Sequence, residues 1–290
     1  MPNPHVRPFF HADTCTWSYV VHDPHSPAAA IIDPVLDYDA ASARIGSEHL
    51  LQMLDHVRQN RLGVQWLLET HAHADHLSAA HWLKTLHFPQ APIAIGQGIV
   101  QVQQRFRALF NLDGDGFCAD GSQFDCLLLD GDELAIGSLR LQVIAVPGHT
   151  GDSNAFLIGD ALFTGDSLFM PDGGTARCDF PGGDAATLYR SIQRLYALPD
   201  ATRVFVCHDY APGDRDAACE TTIAAQKRHN IHVRPDVPET DFARLRQARD
   251  ATLAVPRLLL PAIQVNIRAG QLPPAEANGI AYLKIPLDRF

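Results

Sequence analysis

Hydrophobic positions along the first 235 residues fall into two repeating kinds of stretch, short apolar runs and longer amphipathic ones. Positions 10–21 and 64–70 read as strands, and Ala29-Ala30-Ile31-Ile32-Asp33 is a short apolar run that Pro34 stops, as a buried strand does. Between them, Leu50, Leu51, Leu54 and Val57 share one helical face and Gly63 follows as a stop, which predicts a helix over 40–60. A second helix is predicted over 77–86. Later, 139–146 begins in strand alternation, and 155–158 and 161–164 flank Gly159-Asp160 as a hairpin would. Leu188, Ile192, Leu195 and Tyr196 mark another amphipathic helix, and 203–207 is a further strand. Strand-then-helix units in both halves, with hairpins between, predict two sheets covered by helices, an α/β sandwich. Residues 236–290 do not resemble a sheet core. They are read as a C-terminal extension packing on a catalytic domain of residues 1–235.

The 290 residues are 46% hydrophobic, enough for a large core. Lys and Arg total 23 against 33 Asp and Glu, a formal net charge of −10, and the cations are scattered. That distribution argues against a nucleic-acid partner, which calls for a basic stripe. No apolar run approaches the roughly 20 residues of a membrane span. The opening MPNPHVRPFF has prolines where a secretion signal has a long apolar stretch. A soluble cytoplasmic protein is expected. The six cysteines form no CxxC pair and are read as reduced thiols. The stretch 111–116 mimics the start of a calcium loop, but Ser122 stands where the bidentate Glu belongs, so it is read as a turn.

The informative cluster is His71-Ala72-His73-Ala74-Asp75-His76, between a predicted strand and a predicted helix. In extended backbone His71 and His73 point to the same side. Three imidazoles and a carboxylate within six residues, spaced by alanines, point to a metal. Three later loops each bring one more ligand type at a strand end: His149 in Pro147-Gly148-His149-Thr150, Asp166 in Thr164-Gly165-Asp166-Ser167, and His208 in Cys207-His208-Asp209-Tyr210.

Taken in this order and spacing, the motifs resemble those of the metallo-β-lactamase superfamily over roughly residues 10–235. The resemblance implies a four-layer αββα sandwich with metal at the edge between its sheets. It also implies a dinuclear ligand set, with His71, His73 and His149 in one site, Asp75, His76 and His208 in the other, and Asp166 bridging. Within the superfamily, Ile32-Asp33-Pro34-Val35-Leu36, Gly174-Thr175-Ala176-Arg177-Cys178-Asp179-Phe180, His208-Asp209-Tyr210 and Val265-Asn266-Ile267-Arg268-Ala269-Gly270 are similar to the persulfide dioxygenases. That likeness implies oxidation of glutathione persulfide by O₂ and water to sulfite and glutathione. It implies one Fe(II) per chain on His71, His149 and Asp166, a facial triad with open positions. His73, Asp75, His76 and His208 then orient ligands or water, or hold a second ion. The seven residues suffice for two metals, whereas the dioxygenase likeness implies one. Arg177, Tyr210, Asn266 and Arg268 are candidates for substrate binding, and Asp75, His76, His208 and Tyr210 for catalysis. Cys178 and Cys207 lie near the site in sequence. The family likeness suggests a homodimer. The rival is a glyoxalase II-like thioesterase, in which two zinc ions generate hydroxide. Against it, residues 236–290 do not read as a long helical substrate domain.

Overall fold

The computed structural model describes residues 2–213 and 215–289. Its centre is a pair of six-stranded sheets. The first runs, in spatial order, His5–His11, Thr16–His22, Ala28–Ile32, Gly63–Leu68, Ile93–Gly96 and Cys126–Leu128. Its first two pairings are antiparallel and its last three parallel. Ala28–Ile32, buried along its whole length, is the unbroken apolar run that a strand covered on both faces requires. The second sheet runs Glu133–Ile136, Leu139–Ala145, Asn154–Ile158, Ala161–Phe163, Arg203–Phe205 and Glu220–Thr222. Ala161–Phe163 and Arg203–Phe205 pair in parallel, and the helix Ala185–Tyr196 lies between them in sequence, the crossover such a pairing needs.

Three apolar clusters define four layers. Between the sheets, Tyr19, Ile32 and Leu68 meet Leu141, Phe156, Phe163 and Phe205. The outer face of the first sheet buries Val20, Ile31 and Leu67 against Met53 and Val57 of helix Glu48–Gln59, Leu83 of helix Ala80–Leu86, and Phe106 of helix Ile99–Phe110. The outer face of the second packs Leu162 and Val204 against Leu188 and Ile192 of helix Ala185–Tyr196. The αββα sandwich expected from the sequence is the fold. Two helices of the C-terminal extension enter the outer layers: Phe242 of helix Glu239–Asp250 joins the second, and Ala262, Ile263 and Val265 of helix Leu259–Asn266 join the first.

Some predicted elements shift. Residues 40–60 are not one helix. Val35–Asp39 and Arg44–Gly46 pair as strands, and the helix is confined to Glu48–Gln59. The reason is local: the Asp39 carboxylate accepts from the Ala41 N–H (2.9 Å) and the Ser42 hydroxyl (2.7 Å), a turn that competes with helix. Leu77 and Ser78 pair with Val35 and Leu36, so the next helix starts at Ala80. The predicted strand over 10–21 is a hairpin turning through residues 12–15. Residues 111–116 are a helix end, with Asn111 left-handed (φ 50°), followed by a 3₁₀ turn. Among the described residues, no helix is long and apolar enough to cross a membrane.

Candidate metal centre

The histidine-rich loop is held by side chains from three distant parts of the chain. Asp33 accepts from the Thr70 N–H (2.7 Å) and the Thr70 hydroxyl (2.9 Å). Asp152 accepts from the Ala72 N–H (2.8 Å). The Asn266 amide donates to the His73 and His76 carbonyls (2.8 and 2.7 Å) and accepts from the Ser78 N–H (2.8 Å). Two glycines let the other loops approach. Gly148 has φ 141°, and a Cβ there would sit 2.3 Å from Leu188 Cα. Gly165 has φ 50° and packs on Thr70.

These supports bring seven side chains together. Donor atoms of His71, His149 and Asp166 lie within 4.8 Å of one another, and so do those of His73, Asp75, His76 and His208. Asp166 faces both groups. One of its oxygens is 3.5 Å from His149 Nε2 and 3.9 Å from His71 Nε2, and the other is 3.4 Å from His208 Nε2. His73 falls with the second group rather than with His71 and His149. Its Nε2 is engaged by Asp33 (3.0 Å), although its ring centre remains 3.9 Å from that of His71.

The residues fit a metal. His71 Nε2, His73 Nδ1, Asp75 Oδ2, His76 Nε2, Asp166 Oδ1 and His208 Nε2 are all buried without a hydrogen-bond partner. Six unpaired buried polar atoms facing one space are costly unless a cation satisfies them. The opposite ring nitrogens are occupied, as ligand imidazoles require. His149 Nδ1 donates to the Arg177 carbonyl (2.7 Å), which assigns its lone pair to Nε2. His71 Nδ1 lies 3.1 Å from Thr70 Oγ1, and Thr16 Oγ1 lies 3.3 Å from His208 Nδ1 and 3.5 Å from His76 Nδ1.

Electrostatics divide the imidazoles: His208, although burial alone would lower it, is shifted up by Asp166 and Asp75, whereas His71 and His73 are shifted down. Burial, reinforced by neighbouring imidazoles, holds His71 and His73 well below the usual histidine range. Burial pushes the Asp33 carboxyl up to about 6 against the two Thr70 hydrogen bonds. Burial also raises Asp75, but His208 and His76 outweigh it and hold that carboxyl low. Burial raises the Cys178 thiol to about 12 and the Cys207 thiol well above its usual range, so neither is a thiolate at neutral pH.

A cavity of about 490 Å³ opens over Asp75, His149 and Asp166, walled by Phe169, Phe180, Leu253 and Leu258. Tyr210 lines it, 60% exposed, with its ring stacked on His208 at 5.9 Å. Arg177 lines it too, but its guanidinium is committed to both Asp179 oxygens (2.6 and 2.7 Å) and the Ala254 carbonyl (2.7 Å). Asn266 and Arg268, expected at the substrate, are elsewhere. Asn266 is spent on the histidine loop from behind, and the Arg268 guanidinium lies 4.5 Å over the Phe117 ring. Sequence reasoning missed Asp33 and Asp152 as loop supports, and Thr16. Asp33 sits in a quoted motif, but only its left-handed backbone (φ 48°) and long-range partners show its task. It also missed Arg249 and Arg257, exposed arginines that line the cavity.

This fold and this centre define a metal-dependent enzyme class. Residues 15–208 match the Metallo-beta-lactamase superfamily, and the chain belongs to it. It is 50% identical to a probable metallo-hydrolase of Burkholderia pseudomallei over 98% of this chain and 99% of that protein. It is 45% identical to Glyoxylase B2 of Dictyostelium discoideum, over 98% and 97%. It is 28% identical to the mitochondrial persulfide dioxygenase ETHE1 of Bos taurus, over 93% and 91%. The crystal structure of ETHE1 from Myxococcus xanthus superposes with a TM-score of 0.72 at 31% identity, covering 92% of this chain and all of that one.

Proposed function

We propose that the chain is a persulfide dioxygenase that converts glutathione persulfide, O₂ and water to glutathione and sulfite. One Fe(II) would be held by His71, His149 and Asp166. The observation that carries this reading is that two-histidine, one-carboxylate group, with His149 and Asp166 facing the cavity. The likeness to persulfide dioxygenases in sequence and fold supports it. Bound there, iron supplies open coordination positions and the redox chemistry that zinc lacks. The chain's own part is to place and shield. The Arg177 carbonyl fixes the His149 tautomer. Phe169, Phe180 and Leu258 narrow the space around the substrate sulfur and limit water. Asp75, His76 and His208 hold water or substrate beside the triad, and Tyr210 presents its phenol at the wall. Arg177, paired with Asp179 and donating to the Ala254 carbonyl, acts as a structural brace of the wall rather than as a free positive charge. Arg249 and Arg257 are the exposed charges positioned to meet an anionic tripeptide.

One observation favours a second reading. His73, Asp75, His76 and His208 form a compact second group, and Asp166 reaches toward it. Two zinc ions there would suit a thioesterase acting on S-lactoylglutathione, the class to which the likeness to Glyoxylase B2 points. Metal analysis of protein purified without oxygen or added metal separates the two. Near one iron per chain supports the dioxygenase. Two zinc per chain, with thioester hydrolysis, supports the alternative.

A further inference from the structure

Either reaction releases protons inside a largely apolar cavity. Glutathione persulfide, O₂ and water give glutathione, sulfite and two protons. A thioester and water give a carboxylate, a thiol and one proton. The turn between the first two strands brings Thr14 onto the cavity wall. Thr14 Oγ1 lies 2.8 Å from His11 Nδ1 and 2.7 Å from Thr16 Oγ1, which in turn faces His208 and His76. On the far side, His11 Nε2 is 3.1 Å from Asp37 Oδ1. The His11 side chain is 6% exposed and that of Asp37 30%, so this file of hydrogen bonds begins at the cavity, crosses the interior and reaches solvent.

We propose that Thr14, His11 and Asp37 form the proton exit of this enzyme. Asp37 accepts the His11 Nε2–H, so the neutral ring offers its Nδ1 lone pair to the Thr14 hydroxyl. A proton arriving at the Thr14 oxygen from the cavity displaces the hydroxyl's own proton onto Nδ1. The resulting imidazolium stands against the Asp37 carboxylate, which takes the Nε2 proton and passes it to water. Only O–H and N–H bonds form and break, and no oxidant or reductant is consumed. His11 touches no substrate and is a positioning residue. Its surroundings suit the task. Burial and His76 disfavour the charged form, while Asp37 and Asp13 favour it; the His49 ring packs against His11 at 4.9 Å. The balance lies below the usual histidine value, so the ring is neutral and ready to accept near pH 7.

Asp37 also accepts from the His49 N–H (3.0 Å), so the discriminating variants are at Thr14 and His11. Metal-loaded Thr14→Val, Thr14→Ser and His11→Gln are compared with the parent chain in weakly and strongly buffered medium. Turnover is read as O₂ uptake with glutathione persulfide and as hydrolysis of S-lactoylglutathione. Thr14→Val and His11→Gln should lose at least about tenfold in kcat in weak buffer, with KM and metal content unchanged. Added imidazole should restore the rate, and Thr14→Ser should keep it. A Thr14→Val protein with the parent's kcat and pH profile overturns the proposal, as does a loss that Thr14→Ser shares and imidazole does not restore. Independently of turnover, nitrogen NMR should find the His11 proton on Nε2. A proton on Nδ1 defeats the relay whichever reaction the enzyme performs, so its failure is distinguishable from failure of the functional reading.

Discussion

Asn266→Ala separates a residue that builds the metal centre from one that touches substrate. The side chain is 4% exposed and makes three hydrogen bonds to the backbone of the histidine loop. Truncation leaves two carbonyls and one N–H unpaired in a buried loop, at roughly 1–3 kcal/mol each, so the loss is at least about 3 kcal/mol. For a chain of this size that is a fall in Tm of about 5 °C or more. Because the freed carbonyls belong to His73 and His76, metal affinity should drop about 10–100-fold, the usual cost of losing a group that orients ligands. KM for substrate should change little, since Asn266 does not line the cavity. The assays are thermal unfolding, metal binding in competition with a chelator, and steady-state kinetics at saturating metal. A variant with the parent's metal affinity and a raised KM would refute the reasoning and put the amide at the substrate.

Other outcomes follow from the same geometry. His149→Ala should abolish metal loading of the His71–Asp166 group and turnover together; full metal content in the variant contradicts the ligand assignment. Asp33→Asn removes the negative charge behind His73 Nε2 and one of the two acceptor oxygens shared with Thr70, and should weaken metal binding about 10–100-fold, measured by chelator competition, while the left-handed position tolerates Asn. Gly148→Ala forces a Cβ into the backbone of Leu188 and should lower both Tm and metal content, because the displaced residue is next to His149. His232, pushed down to about 4 mainly by burial, stays neutral in the fold while the unfolded chain protonates near 6.5. The stability of the parent chain minus that of His232→Gln should therefore be steady above pH 6.5 and fall between 6.5 and about 4; a difference that does not change with pH refutes the assignment.

The layered fold was readable because buried strands announce themselves. Ala29–Ile32 is apolar on both faces, 64–68 ends in the buried pair Leu67-Leu68, and Leu188, Ile192 and Leu195 keep helical spacing. Helix Leu259–Asn266 was not readable, since it is apolar nearly all round and carries no amphipathic signal. The strand pair at 35–46 was hidden by neighbouring helical periodicity, and only the Asp39 turn breaks it. At the site, clustered histidines and strand-end loops flagged the ligand types. The partners that aim them, Asp33, Asp152 and Asn266, lie 37 to 193 residues from what they hold, a separation only the folded chain closes. Arg177 shows the opposite failure. A lone arginine near a site suggests an anion, but Asp179 two residues on already takes both of its prongs.

The central claim is tested most directly by following O₂ and sulfite together in an oxygen electrode, with glutathione persulfide added to the iron-loaded enzyme. The account predicts O₂ uptake matched by sulfite formation, mole for mole, and lost on iron chelation. Catalytically active enzyme that turns over S-lactoylglutathione with a zinc pair, while consuming no O₂ from the persulfide, would contradict it.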